Sequence, residues 1–143
     1  METNLHGRQR GEPVTVLTVD DQAVFRRVAC DVIAATPGFE TVGEAESGEE
    51  ALRLVAEADP ALVLLDVRMP GMDGLATAHQ ISRTRSTAVI VLITMEDPEA
   101  LPAGVASCGA VAVVRKQDFG PRLLRRLWEA YGSRPPARTL AVK

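Results

Sequence analysis

Five short runs of aliphatic or β-branched residues, Val14 to Val19, Thr41 to Ala45, Leu62 to Leu65, Val89 to Ile93 and Val111 to Val114, are separated by longer segments. The first, third and fourth runs are almost wholly apolar, which suits strands covered on both faces. The intervening segments supply the covers. Phe25, Val28, Ala29, Val32 and Ile33 recur at three and four, Leu52, Leu54, Val55 and Ala58 nearly so, and Leu123, Leu124, Leu127 and Trp128 mark a last helix over about Pro121 to Tyr131. Ser47 before Glu49-Glu50, and Asp73 before Gly74-Leu75, are placed to cap the second and third helices. Strand-helix alternation five times over predicts an α/β fold: a parallel sheet with right-handed crossovers and helices on both faces.

At 143 residues the chain is long enough for one core without a disulfide or structural metal. Residues 1–13 show no apolar period and read as a disordered leader, residues 14–131 as the folded domain, and residues 132–143, with Pro135 and Pro136, as a tail or linker. Cys30 and Cys108 lie in no metal or redox spacing and read as reduced thiols. The net charge of -3 offers no extended basic stripe for nucleic acid. No apolar run approaches the ~20 residues that span a bilayer and no signal-peptide core is visible, so no membrane association and a cytoplasmic location are expected.

In an open parallel sheet, ligands bind beyond the carboxyl ends of the strands. Here those ends carry Asp20-Asp21, Asp66, Thr94 and Arg115-Lys116. Three converging carboxylates repel one another unless a cation sits among them, and oxygen ligands with room for water suit Mg²⁺. Zinc would call for His or Cys, whereas His6 and His79 fall in the leader and the third helix. Taken singly, each residue has an ordinary explanation as helix cap, loop start, strand terminus or solvated charge. Lys116 is harder to dismiss, because only it and Lys143 are lysines among 16 basic residues. A compact ammonium can approach a phosphoryl oxygen where a planar guanidinium wants a bidentate partner.

With Val19-Asp20-Asp21, the stretch LDVRMPGMDG ending at Gly74, Thr94 and Lys116, the sequence resembles the receiver domains of two-component response regulators over about Val14 to Tyr131. The wording VGEAESGEEAL, and a charged pair rather than Lys-Pro after the fifth strand, are most similar to NarL/LuxR-type receivers. The resemblance implies a flavodoxin-like, doubly wound (βα)5 fold with strand order 2-1-3-4-5. It implies a phosphorylation-dependent signalling switch rather than an enzyme, catalysing only its own phosphorylation and dephosphorylation. Asp66 would be the phosphoryl acceptor. Asp20, Asp21, Asp66 and the backbone carbonyl of Arg68 would hold Mg²⁺, with Mn²⁺ able to substitute, while Thr94 and Lys116 bond the phosphoryl oxygens. The donor would be a sensor histidine kinase or phosphotransfer protein, read by Gln22 to Arg27 and Gln117 to Gly120. A homodimer through the fourth helix, fifth strand and fifth helix is a further implication.

Two other readings fit the residues less well. An aspartate-nucleophile phosphatase of the haloacid-dehalogenase type needs a second Asp two places after the first, where this chain has Arg68. A pseudo-receiver used only for binding is disfavoured because Asp20, Asp21, Asp66, Thr94 and Lys116 are all present. A helix-turn-helix output needs some tens of residues more than Gly132 to Lys143 supply, so no direct nucleic-acid binding is expected from this chain. Its output would be a downstream protein partner or an output domain of a longer regulator.

Met95, Val113 and the fourth helical segment depart from the resemblance. Arg68 and Glu96 stand two places beyond Asp66 and Thr94, so their charges can pair across the pocket mouth and, with Met95, gate it against water. Val113 stands where an aromatic rotor is usual. The fourth helical segment contains Pro98, Pro102 and Gly104, with penalties of about 3 kcal/mol for an interior proline and about 1 for glycine. That helix is expected to be short, late or mobile.

Overall fold

The computed structural model describes residues 11–132 and 141–142. Its elements are β1 (Val14–Val19), α1 (Ala23–Ala34), β2 (Phe39–Ala45), α2 (Gly48–Ala58), β3 (Leu62–Asp66), α3 (Gly74–Ser82), β4 (Val89–Thr94), β5 (Ala112–Arg115), α4 (Pro121–Tyr131) and β6 (Ala141–Val142). All strand pairings are parallel, in the order β2-β1-β3-β4-β5-β6. The first five follow the expected 2-1-3-4-5 order. Most of the leader and tail lies outside the described residues, but Ala141 and Val142 pair with Ala112 and Val113 as a short added edge strand.

Alternating strand residues divide the core into two layers. Val16, Leu62, Leu64, Val91 and Val114 meet Phe25, Ala29 and Ile33 of α1 and Leu124 and Leu127 of α4. Leu17, Val19, Leu65, Ile90, Leu92 and Val113 meet Ala51 and Val55 of α2 and Ala78 and Ile81 of α3. The α1 stripe is narrower than the sequence period suggests: every fourth residue is buried, while Val28, to one side, is 43% exposed. Ser47 and Asp73 both cap as expected, accepting hydrogen bonds from the N–H groups of Glu50 at 3.1 Å and Ala76 at 2.9 Å.

The crossover from β4 to β5 corrects the fivefold strand-helix alternation. No α-helix forms there; two 3₁₀ turns, Pro98–Ala100 and Val105–Ser107, take its place. Pro102 falls between them, where a continuous helix would need its missing N–H and would clash with a preceding carbonyl. Gly104, at φ +93°, adopts a left-handed conformation that starts the second turn. Leu101 and Val105 still pack against the layer formed with α2 and α3, which holds the segment without a helix. A self-association surface of the implied kind therefore lacks its fourth helix.

Short 3₁₀ turns hold few internal hydrogen bonds, so amides of residues 96–109 should exchange orders of magnitude faster than those of β4. Hydrogen exchange read by mass spectrometry checks this, and strand-like protection over Ala100 to Ser107 would contradict it.

Candidate functional site

The polar residues at the strand ends converge. Asp20, just beyond β1, is buried, and its N–H donates to the Ala45 carbonyl at 3.0 Å. Its Oδ1 accepts from the Gln22 N–H at 2.8 Å, stabilising the entry to α1, where the Gln22 side chain makes no cap. Its carbonyl accepts from Arg26 at 2.7 Å, and the same guanidinium meets Glu44 at 3.3 Å and Glu46 at 3.5 Å. Both the carboxylate and the backbone of Asp20 are thereby fixed.

Asp66 ends β3 and is buried beside Asp20, while Asp21 is exposed. Each of the three can present a carboxylate oxygen within 4.8 Å of the others. The turn after β3 explains the glycines of the motif. Gly71 takes φ +72°, and a Cβ at Gly74 would fall onto the Asp66 carbonyl oxygen and within 2.8 Å of the Val67 Cα. Gly74 thus lets the start of α3 press against the end of β3, its N–H donating to the Val67 carbonyl at 2.9 Å.

Lys116, immediately after β5, closes the cluster. Its side chain is only 8% exposed, with Nζ 2.6 Å from Asp20 Oδ2 and 3.7 Å from Asp66 Oδ1. Thr94 is buried at the end of β4, one residue past the register partner of Asp66, and its hydroxyl oxygen accepts from the Glu96 N–H at 3.0 Å. Beyond it, Arg68 and Glu96 form the anticipated pair through two contacts, 2.5 Å and 3.1 Å, and the guanidinium holds the Glu96 carboxyl below its ordinary range. Met95 is 70% exposed beside this pair.

Three features escaped the sequence reading. Phe25, assigned to the core by its period alone, also places its ring 4.8 Å beneath the Lys116 ammonium. Phe119 packs behind it, with ring centroids 6.2 Å apart. Arg115 pairs with Asp97, tying the loop after β4 to the end of β5. Such contacts between distant segments have no local signal in the sequence.

The electrostatics follow from this crowding. Burial, then the charge of Asp20, push the Asp66 carboxyl up to about 7, with Asp21 adding to the rise. Lys116 and a hydrogen bond from the Arg68 backbone pull in the other direction. The cluster is a place where negative charge is concentrated and only partly neutralised. Its all-carboxylate donors beside a single ammonium fit a hard divalent cation.

Known proteins resemble this chain in sequence and in fold. Residues 16–127 match the response regulator receiver domain family. The chain is 33% identical over 119 residues to the nitrate/nitrite response regulator protein NarL of Escherichia coli, covering 83% of this chain and 55% of NarL. It is 34% identical over 113 residues to the protein-glutamate methylesterase/protein-glutamine glutaminase 4 of Myxococcus xanthus, covering 78% of this chain and 32% of that protein. It thus spans from about a third to just over half of the length of these curated relatives. Among solved structures, the signal receiver domain of NarL from Mycobacterium tuberculosis superposes with a TM-score of 0.78 at 28% identity, covering 86% of this chain and 99% of that one.

The raised Asp66 pKa has a stability consequence with a definite sign. Between about 4, where the unfolded carboxyl releases its proton, and about 7, where the folded one does, the native state holds the extra proton. Stability is therefore lost as pH rises through that window and is level above it. Asp66→Asn should stabilise the metal-free protein at pH 8 by on the order of 1 kcal/mol or more, and by much less at pH 4. Urea denaturation at the two pH values tests this; an equal gain at both would show that the carboxyl does not titrate as stated.

Proposed function

The chain belongs to the response regulator receiver domain family of bacterial two-component systems, and on that premise we propose that it is a phosphorylation-dependent switch with Asp66 as acceptor. The observation that carries this reading is the pairing of a buried strand-end carboxylate with the ammonium of Lys116, inside a cluster completed by Asp20 and Asp21. An Asp66 oxygen would attack phosphorus in line as the P–N bond of a phosphohistidine, protonated on its other ring nitrogen, breaks with its electron pair going to nitrogen, leaving the aspartyl phosphate and a neutral imidazole. Asp20, Asp21, Asp66 and the Arg68 carbonyl would hold Mg²⁺, or Mn²⁺ in its place, which when bound neutralises charge on the carboxylates and the phosphoryl oxygens.

The chain's own residues divide the remaining work. Lys116 already stands 3.7 Å from Asp66 and would shift its contact from Asp20 toward a phosphoryl oxygen. The Thr94 oxygen accepts from the Glu96 N–H, which leaves its hydroxyl proton to donate to the new group. Added negative charge beside Thr94 then draws on the loop that follows it. Arg68, Glu96 and Met95 form the rim, and we assign them the gating of water toward phospho-Asp66.

Residues 14–131 would be the receiver, flanked by the leader and the tail. The phosphoryl donor would be a sensor histidine kinase or phosphotransfer protein, contacting Gln22 to Arg27, where Val24 is exposed, and Gln117 to Gly120. The output would pass to a protein partner or output domain, in a cytoplasmic setting, with no direct nucleic-acid contact by this chain. Among the described residues no helix is long and apolar enough to cross a membrane. A homodimer, if formed, would use β5 and α4 without the missing helix.

Incubation with acetyl phosphate or a cognate kinase should place acid-labile phosphate on the wild-type chain and none on Asp66→Asn; labelling of that variant would refute the assignment. Lys116→Arg should switch poorly, although its charge is kept. Arg68→Ala combined with Met95→Ala should shorten the lifetime of phospho-Asp66 severalfold by opening the rim, and an unchanged decay rate would remove the gate.

A further inference from the structure

We propose that Phe25 is a positioning residue for the phosphoryl site, its ring serving as an aromatic floor that holds the Lys116 ammonium between Asp20 and Asp66. This rests on the phospho-acceptor reading of the same site and adds a residue to it. The Nζ atom lies 4.8 Å from the ring centroid, inside the ~6 Å range in which the negative face of an aromatic ring attracts a cation. The same atom is 2.6 Å from Asp20 Oδ2 and 3.7 Å from Asp66 Oδ1, so carboxylates and ring hold it from different elements. Lys116 is nearly closed off from water, a setting in which such a contact is stronger than at the surface.

The floor is itself built in. Phe25 is buried on α1 and backed by Phe119, three residues after Lys116 and also buried, so two of the chain's three phenylalanines stand at this one lysine. The entry to α1 is fixed by the Asp20 carboxylate through the Gln22 N–H. One rigid unit therefore carries a carboxylate that pairs with the ammonium and the ring beneath it. A leucine at position 25 would preserve apolar burial but present no π face. Lysine has four rotatable side-chain bonds, and without the ring one attraction that selects this rotamer is lost.

Two measurements on the full 143-residue chain test the assignment. In the metal-free protein, ring current from Phe25 should move the Lys116 side-chain proton resonances upfield of those of Lys143, and Phe25→Leu should abolish the difference. In the presence of Mg²⁺, calorimetric titration with beryllofluoride, a phosphoryl mimic, should show Phe25→Leu binding about 3- to 10-fold more weakly than wild type, with Phe25→Tyr close to wild type. In a Lys116→Met background, the same Phe25→Leu change should have no effect. An equal loss in both backgrounds would make Phe25 merely structural, and no loss in either would remove its role. Should Phe25→Leu fail to fold, Phe25→Met is read in the same way. If wild type binds no beryllofluoride, the phospho-acceptor reading fails, while the metal-free resonances still decide whether the ring holds the lysine.

Discussion

Repulsion among three carboxylates at neighbouring strand ends is the constraint around which the site is organised. A parallel sheet brings the ends of β1 and β3 together because the strands are adjacent, and hydrophobic burial on both faces leaves neither free to move away. Asp20 and Asp66 are consequently held close in a poorly solvated place. The single ammonium of Lys116 offsets only part of the repulsion, and burial first, then the remaining charge of Asp20, raises the Asp66 carboxyl. The fold thus spends stability to keep a site ready for positive charge, a pattern in which local strain coincides with function.

The rest of the architecture serves to hold that arrangement. Arg26 ties the Asp20 backbone to Glu44 and Glu46 at the end of β2, so the edge strand contributes to fixing a carboxylate on its neighbour. Gly74 allows α3 to start against the Asp66 backbone, and Asp73 caps that start. A side chain at Gly74 would displace the end of β3 rather than a flexible group, since the atoms it would meet belong to the backbone. The LDVRMPGMDG stretch is therefore a packing device as much as a chemical one.

Much of this was legible in the sequence, for physical reasons. Strands covered on both faces leave nearly unbroken apolar runs, so β1, β3 and β4 and the polar residues that end them could be read directly. The Arg68–Glu96 pair was also accessible, because equal offsets from neighbouring strand ends place two charges side by side. The β4–β5 crossover was read only in part. Pro102 and Gly104 signalled a damaged helix, but their penalties do not say whether a shortened helix survives or two 3₁₀ turns replace it. That balance depends on how well Leu101 and Val105 pack. The seating of Lys116 on Phe25 was hidden for a different reason: periodicity reports which face of a helix is buried, not which cation just past a distant strand lies over a ring.

The loop after β4 connects these points. Thr94 sits at its root, and the next residues are tied on both sides: Glu96 to Arg68 at the end of β3, and Asp97 to Arg115 at the end of β5. Both ties are ion pairs at least partly open to solvent, which can be exchanged for other partners at little cost. Beyond them the chain has 3₁₀ turns in place of a helix, so a displacement of Thr94 meets no rigid rod that would transmit it as one body. Nor can it turn an aromatic side chain on β5, because Val113 is small and buried in the layer facing α2 and α3. A charge added at Asp66 would therefore act first on which of the two ties persists. Its effect beyond the site would be a change in the conformation of residues 95–109 rather than the rotation of a preformed helix.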